Sequence, residues 1–267
     1  MTLLTPARRS ATEVELRAGP LRARFDPARG MLATSLRLRG TELLGPLGMP
    51  FLHPWANRLS DPLDGLDLPR DESGLPIHGT HPAAWTVEAR TAASFMASLR
   101  FDAVPAFPYA HRVTHLVRLS VAALCIDTSV RPAAREAVPV AFGFHPYLRL
   151  RRDEVVALPA RRRLVADERL IPTGASVPQR AEAAPLGART FDDGYEVAGR
   201  ARFGIGRRLA VAFLGGYTHA QVYAPPGSDF VCFEPMTAPT NALVTGAGLR
   251  HVVPGRALRA GFEIRVA

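Results

Sequence analysis

Runs in which apolar and polar side chains alternate residue by residue recur along this chain, and they restrict its fold more than any other feature. The alternation is plain in Leu21–Phe25, Ala84–Arg90, Ser94–Phe101 and His111–Ser120. It returns in Arg207–Phe213, Ala220–Ala224, Phe230–Phe233 and Leu258–Val266. A period of two sends successive side chains to opposite faces of an extended strand, one face for a core and one for water. No segment carries the apolar stripe of a long amphipathic helix. Between the runs stand DPLDG, LPIHG, APPGSD and VVPGRA, whose prolines and glycines break strands and turn the chain. Short strands with frequent turns predict an all-β sandwich or barrel. At 267 residues one β domain buries a substantial core, and no linker or repeat divides the chain, so 1–267 reads as a single domain. The stretch Ile171–Arg189, rich in Pro, Ala and Gly, is expected as a long surface loop.

Charge narrows the function. The formal net charge is +9, and all 33 basic residues are arginine. A basic protein invites a nucleic-acid partner, because clustered cations release counterions from a phosphate backbone. Here most arginines alternate with apolar residues, as in LRARF and RRLAVAFL, and the longest basic run, Arg161 to Arg163, lacks interleaved aromatics. That pattern describes solvated sheet faces, and no nucleic-acid partner is expected. A basic pocket for an acidic sugar or sugar phosphate fits it better. MTLLTPARRSATEVELRAG lacks the apolar core of a secretion signal, and no run is long enough to span a bilayer, so a cytoplasmic protein with no membrane partner is expected. Cys125 and Cys232 stand far apart and are expected as two reduced, buried thiols.

Polar clusters interrupt the strand pattern at His53–Asp61, Leu75–Trp85, Phe142–Leu150, Phe191–Tyr195 and Phe230–Ala242. Each mixes aromatic and ionisable side chains. Aromatic faces pack on the C–H surface of a sugar while carboxylates, Arg and His bind its hydroxyls, so these clusters suit a carbohydrate cleft if the fold brings them together.

The same segments resemble those of the aldose 1-epimerase (mutarotase) family. PWANRLSDPLDGL resembles its N-R segment, LPIHGTHPAAW its H-G…W segment and FGFHPYLRL its H-x-Y-(F/L)-x-L segment. FDDGY resembles its aromatic-D-x-x-(F/Y) element, and FVCFEPMTAPTNAL its E-P segment. Each motif is weak alone, and their joint order from Asn57 to Asn241 carries the resemblance. It implies a large twisted antiparallel β-sandwich, the galactose mutarotase-like supersandwich, with a sugar cleft across one sheet. It also implies an isomerase that interconverts α and β anomers of a hexose or related aldose without cofactor or metal. His145 falls on the family's general acid and Glu234 on its general base. Arg58 and His78 match positions that hold the substrate near its reacting end, Asn57 accompanies Arg58, and Asp192 matches a carboxylate that receives sugar hydroxyls. Asp192 is preferred to Asp193 for lying three residues before Tyr195. Trp85 and Tyr147 are candidate packing surfaces. Pro146 and Met236 depart from the family pattern and bear on substrate identity.

Each residue has a plainer reading by itself. His145 beside Phe144 suits a hydrogen-bonded structural histidine, and Glu234 before Pro235 a solvated strand end. Arg58 suits an ion pair with Asp61, His78 a turn, and Asp192 an Asx-turn. His111 and His115 superficially match a helical zinc pair, but their segment alternates as a strand and offers no third ligand. His53, His81, His219 and His251 carry no signal beyond the nearness of the first two to the motifs. Two further readings stay open: a hexose-6-phosphate 1-epimerase, and a sugar-binding or regulatory protein on the same fold that does not turn sugar over.

Overall fold

The computed structural model describes residues 13–151 and 153–267. The expected freedom of 1–12 from a secretion signal therefore lies outside the described residues. Nearly all regular structure is β, and every strand pairing within the sheets is antiparallel. Among the described residues the helical pieces are a 3-10 turn at Pro27–Arg29 and one α turn at Ala242–Thr245.

Two large sheets form the body. The nine-stranded one runs, in spatial order, Glu182–Pro185, Val155–Leu158, Arg202–Ile205, Leu209–Gly215, Leu258–Val266, Ala123–Pro132, His111–Leu119, Ser94–Phe101 and Thr86–Arg90. The eight-stranded one runs Pro172–Gln179, Arg161–Ala166, Phe191–Glu196, His219–Ala224, Phe230–Met236, Gly143–Phe144 and Phe51–Leu52, with Tyr147–Arg149 also on Phe230–Met236. A four-stranded meander of Val14–Ala18, Leu21–Asp26, Leu32–Leu38 and Thr41–Glu42 adds its apolar face to the same core. Aromatic pairs cross between the large sheets. Phe233 stacks on Phe203 with centroids 5.3 Å apart, and Phe144 packs on Phe262 at 4.9 Å. Each such pair adds about 0.5–1.5 kcal/mol beyond the area it buries.

The alternating runs are strands, as expected. Ile171–Arg189 is a correction: it contains the strands Pro172–Gln179 and Glu182–Pro185 rather than a loop. Each lies at a sheet edge, where a proline needs no partner for its missing N–H, and few of their side chains reach the core. Breaker residues and polar composition therefore hid two edge strands. The thiols also differ from expectation, for Cys232 is buried but Cys125 only half-buried, and both are free.

Candidate active site

Strand register assembles one polar face on the eight-stranded sheet. Asp192 stands opposite Tyr223, Tyr223 opposite Cys232, and Cys232 opposite Tyr147. Two residues along, Gly194, Gln221 and Glu234 make the parallel row. Residues two apart share a face, so both rows look the same way, while Val222, Phe233 and Tyr195 fill the core on the other side. This parity separates the two aspartates. Asp192 lines the cleft with Gln221 and Glu234, whereas Asp193 follows Val222 and pairs with Arg163 at 3.4 Å.

The register that pairs Gly143 with Met236 and Tyr147 with Cys232 carries His145 opposite Glu234. Pro146 has no N–H to give the ladder, and the N–H of His145 instead donates to Pro50 O at 3.0 Å. His145 Nε2 lies 3.3 Å from Glu234 Oε1, with the two side chains 6% and 1% exposed. The imidazole stacks on Tyr147 at 4.2 Å and meets His78 edge-on at 5.5 Å.

A long excursion between Leu52 and Thr86 supplies the opposite wall. Asn57 and His78 both take positive φ and clamp each other. The His78 N–H donates to Asn57 O at 3.0 Å, and the Asn57 N–H donates to His78 Nδ1 at 3.2 Å. A His78 that accepts at Nδ1 carries its proton on Nε2 and presents a donor. Burial, aided by Arg58, lowers the His78 pKa to about 3, so that donor is neutral. Gly79 has φ +84°, and any Cβ there would overlap the backbone of His53.

Arg58 is fixed from two sides. Its Nε donates to Asp71 Oδ2 at 2.7 Å and its second guanidinium nitrogen to Asp192 Oδ2 at 3.3 Å. Gln221 Nε2 holds the other oxygen of Asp192 at 2.6 Å. Burial pushes the Asp71 carboxyl up, but hydrogen bonds from Ser73, Arg58 and the Leu75 N–H outweigh it, and the net displacement is downward. These side chains line one cleft of about 780 Å³. Its cations, Arg58, Arg70 and Arg169, face Asp67, Asp71, Glu72, Glu168 and Asp192, so an arginine-rich protein has an acidic cleft even without counting the buried Glu234.

The buried pair decides the chemistry available. Burial, with Asp192 adding like charge, pushes the Glu234 carboxyl well above its ordinary range; burial, with Arg58-flanked His78 beside it, pulls the His145 imidazole well below its own. Both displacements favour a pair that carries one proton between carboxyl and imidazole over a pair of separated charges. Glu234 Oε2 and His145 Nδ1 are buried and have no hydrogen-bond partner among the described residues. Such a pair can accept a proton at one atom and deliver one at another.

The structure thus gathers His145, Glu234, Asn57, Arg58, His78, Asp192 and Tyr147 around one cleft. Several plainer readings are corrected. Arg58 pairs with Asp71 and Asp192, not Asp61, and Asp192 lies within a strand rather than an Asx-turn. Glu234 is buried mid-strand, not solvated. Trp85 is no cleft surface: it is a core residue stacked on His115 at 4.3 Å. Sequence reasoning passed over Gln221, Tyr223 and Asp71. The first two were detectable, because alternation in Ala220–Ala224 places them opposite the apolar Ala220, Val222 and Ala224. His111 and His115 sit in a strand, and among the described residues no three His, Cys, Asp or Glu side chains are arranged to hold a metal. Nor is any helix among them long and apolar enough to cross a membrane.

A protein of Synechocystis sp. PCC 6803 superposes with a TM-score of 0.77 at 24% identity, covering 99% of this chain and 98% of that one. A proposed aldose 1-epimerase from Escherichia coli K12 gives 0.79 at 21% identity over 96% and 99% of the two chains. A galactose mutarotase-like protein from Clostridium acetobutylicum gives 0.81 at 18% identity over 96% and 95%. These likenesses show the fold, the twisted antiparallel mutarotase-like sandwich. No match was found among curated protein sequences. The aldose 1-epimerase family model matches residues 36–265, most of the chain and every polar residue named above in the cleft, and the chain belongs to that family.

Proposed function

We propose that residues 1–267 act as one aldose 1-epimerase domain that opens and recloses the ring of a neutral hexose or related aldose, with Glu234 as base and His145 as acid. The observation that carries this reading is the buried His145–Glu234 contact of 3.3 Å on the polar sheet face of the cleft. In the forward step the one proton of the pair first passes from Glu234 Oε1 to His145 Nε2 across their 3.3 Å contact, and Glu234 Oε2, an unpartnered buried acceptor, then takes the proton of the C1 hydroxyl. The oxygen lone pair forms the C1 carbonyl, the bond from C1 to the ring oxygen breaks, and His145 protonates that oxygen. Rotation about the C1–C2 bond then exposes either carbonyl face, and reversal of both transfers closes the ring on the other anomer. Only protons pass between protein and sugar and no atom changes its oxidation state over the full cycle, so the step as written draws on the two side chains alone. His78 Nε2–H and Arg58 donate to oxygens near the reacting end, Asp192 receives sugar hydroxyls, and Asn57 holds Arg58 through Oδ1 at 3.3 Å.

The acidic lining bears on the substrate. Arg58 is neutralised by Asp71 and Asp192, and Arg70 is engaged by the carbonyls of Pro62 and Gly74 at 2.8 Å. A phosphate carrying nearly two negative charges would enter against this excess of carboxylates, which favours an uncharged aldose over a hexose 6-phosphate. The test is polarimetric or NMR mutarotation of freshly dissolved α-D-glucose, α-D-galactose and their 6-phosphates by wild type and Glu234→Gln. Acceleration of the neutral sugars by wild type alone supports the reading. Sugar binding without acceleration would instead favour a non-catalytic binder.

A further inference from the structure

A second histidine pair stands beside the proton-transfer pair. His53, at the start of the excursion that carries Arg58 and His78, lines the cleft. Its ring stacks on Phe51 with centroids 5.3 Å apart and meets Phe101 edge-on at 5.1 Å. His53 Nε2 lies 2.7 Å from Nε2 of His111, which is buried in the nine-stranded sheet; His111 Nδ1 lies 2.7 Å from Tyr109 O. A carbonyl only accepts, so His111 Nδ1 carries a proton. Burial disfavours the charged form of both rings, so His111 Nε2 is a bare acceptor and His53 Nε2 donates to it. That fixes the tautomer of His53 and leaves Nδ1 as the acceptor of a ring on the cleft wall.

We propose that His53 is a substrate-contacting residue whose Nδ1 accepts a hydrogen bond from an aldose hydroxyl other than that on C1, and that His111 is the positioning residue which locks His53 in the accepting tautomer. The inference rests on the sugar reading of the cleft. The C1 hydroxyl and the ring oxygen are taken by Glu234 and His145, which leaves the hydroxyls of the remaining ring carbons. A single acceptor between the apolar faces of Phe51 and Phe101 suits a hydroxyl flanked by C–H groups. Oriented polar groups on a mainly apolar wall set specificity in small-molecule sites. Without His111 the two neutral tautomers of His53 would interconvert, and in one of them Nδ1 would offer a donor instead of an acceptor. The His53–His111 contact also ties the excursion to the nine-stranded sheet, and within the excursion Thr80 N donates to His53 O at 3.3 Å, two residues from His78.

The test combines a spectroscopic and a kinetic arm. Long-range ¹H–¹⁵N correlation NMR on wild type should show His53 protonated at Nε2 and His111 at Nδ1; the opposite assignment for His53 overturns the proposal without reference to activity. His111→Phe keeps an aromatic ring among Phe101, Phe107 and Tyr109 but removes the acceptor. It should raise KM for whichever of D-glucose and D-galactose is the better substrate by about three- to tenfold, with kcat changed less than twofold. His111→Gln, whose side-chain oxygen can accept from His53, should restore KM to within about twofold of wild type, a rescue that a purely structural role would not give. His53→Phe should match the KM rise of His111→Phe, and the double variant should exceed neither. An unchanged KM in soluble, folded His111→Phe overturns the proposal, as does failure of the Gln variant to rescue. If wild type turns over neither sugar, the epimerase reading fails by itself; the same comparison is then made on Kd from direct D-galactose titration, and absence of any sugar binding overturns this proposal too.

Discussion

Glu234→Gln separates the activity of the buried pair from its contribution to stability, with opposite signs. Glu234 is 1% exposed and sits 3.3 Å from His145, and burial pushes its carboxyl toward the neutral form while pulling the imidazole the same way. The amide keeps the shape and neutrality of that carboxyl but cannot take up a proton. Activity should fall by about 10²–10⁴, the usual worth of a positioned proton-transfer group. Stability follows from the protons bound in each state. Between the ordinary values of 4.5 for Glu and 6.5 for His, the unfolded wild type holds one proton, on His145, and the folded pair also holds one, so these two groups give no slope. Above 6.5 the unfolded chain releases its proton while the folded pair keeps one, and wild-type stability falls as pH rises. The Gln variant has only the His145 contribution, which is full above 6.5 and lost as pH falls below it. At every pH above 4.5 and below the folded-state Glu234 pKa, the variant should therefore gain on wild type by about 1.4 kcal/mol per pH unit. Urea unfolding of both proteins from pH 5 to pH 8 measures this difference, with the other buried histidines cancelling. A variant destabilised by about 3–5 kcal/mol throughout would refute the reasoning. That is the cost of removing one partner from a buried ion pair, and it would mean that Glu234 and His145 are both charged at rest.

Two further outcomes follow from other parts of the cleft and core. Arg58→Met leaves Asp71 and Asp192 without their shared cation; it should cost about 1–3 kcal/mol in chemical denaturation and at least tenfold in kcat/KM, and unchanged efficiency would exclude Arg58 from substrate binding. Burial lowers the pKa of His78 and His115 to about 3 and of His219 to about 4, so their neutral forms stabilise the fold above the ordinary 6.5 and that stability drains away as pH falls. Each contributes a slope of up to about 1.4 kcal/mol per pH unit, and the melting temperature should drop steeply from pH 6.5 to pH 4, where a flat profile would contradict the burial of these rings.

Local pattern carried much of the fold and rather less of the site. A period of two is a property of neighbouring residues, so strands such as Ser94–Phe101 and Leu258–Val266 were legible within a residue or two. The prolines of Pro172–Gln179 misled for the same reason: a breaker is read locally, whereas its tolerance depends on the strand lying at an edge. Motif order located His145, Glu234, Arg58 and His78. Their convergence, however, belongs to register, which no local pattern encodes. Register also explains why spacing to Tyr195 favoured Asp192 and why Gln221, which bonds it, went unnoticed. Trp85 failed as a cleft candidate because a Trp beside a conspicuous motif looks alike whether its ring faces sugar or core. The His53–His111 contact joins segments 58 residues apart and has no local signature at all.

The polar face built from Tyr147, Asp192, Gln221 and Glu234 also dictates when in folding the protein can first work. Arg58 and Asp192 meet across 134 residues of chain, and Gln221 and Asp192 across 29. No early hairpin contains both halves of the cleft. Closing such distant segments is entropically slow, and the contacts that reward it form together near the end of the reaction. Catalytic competence should thus appear in step with the last phase of refolding, and a trapped intermediate with extensive strand content would be inert.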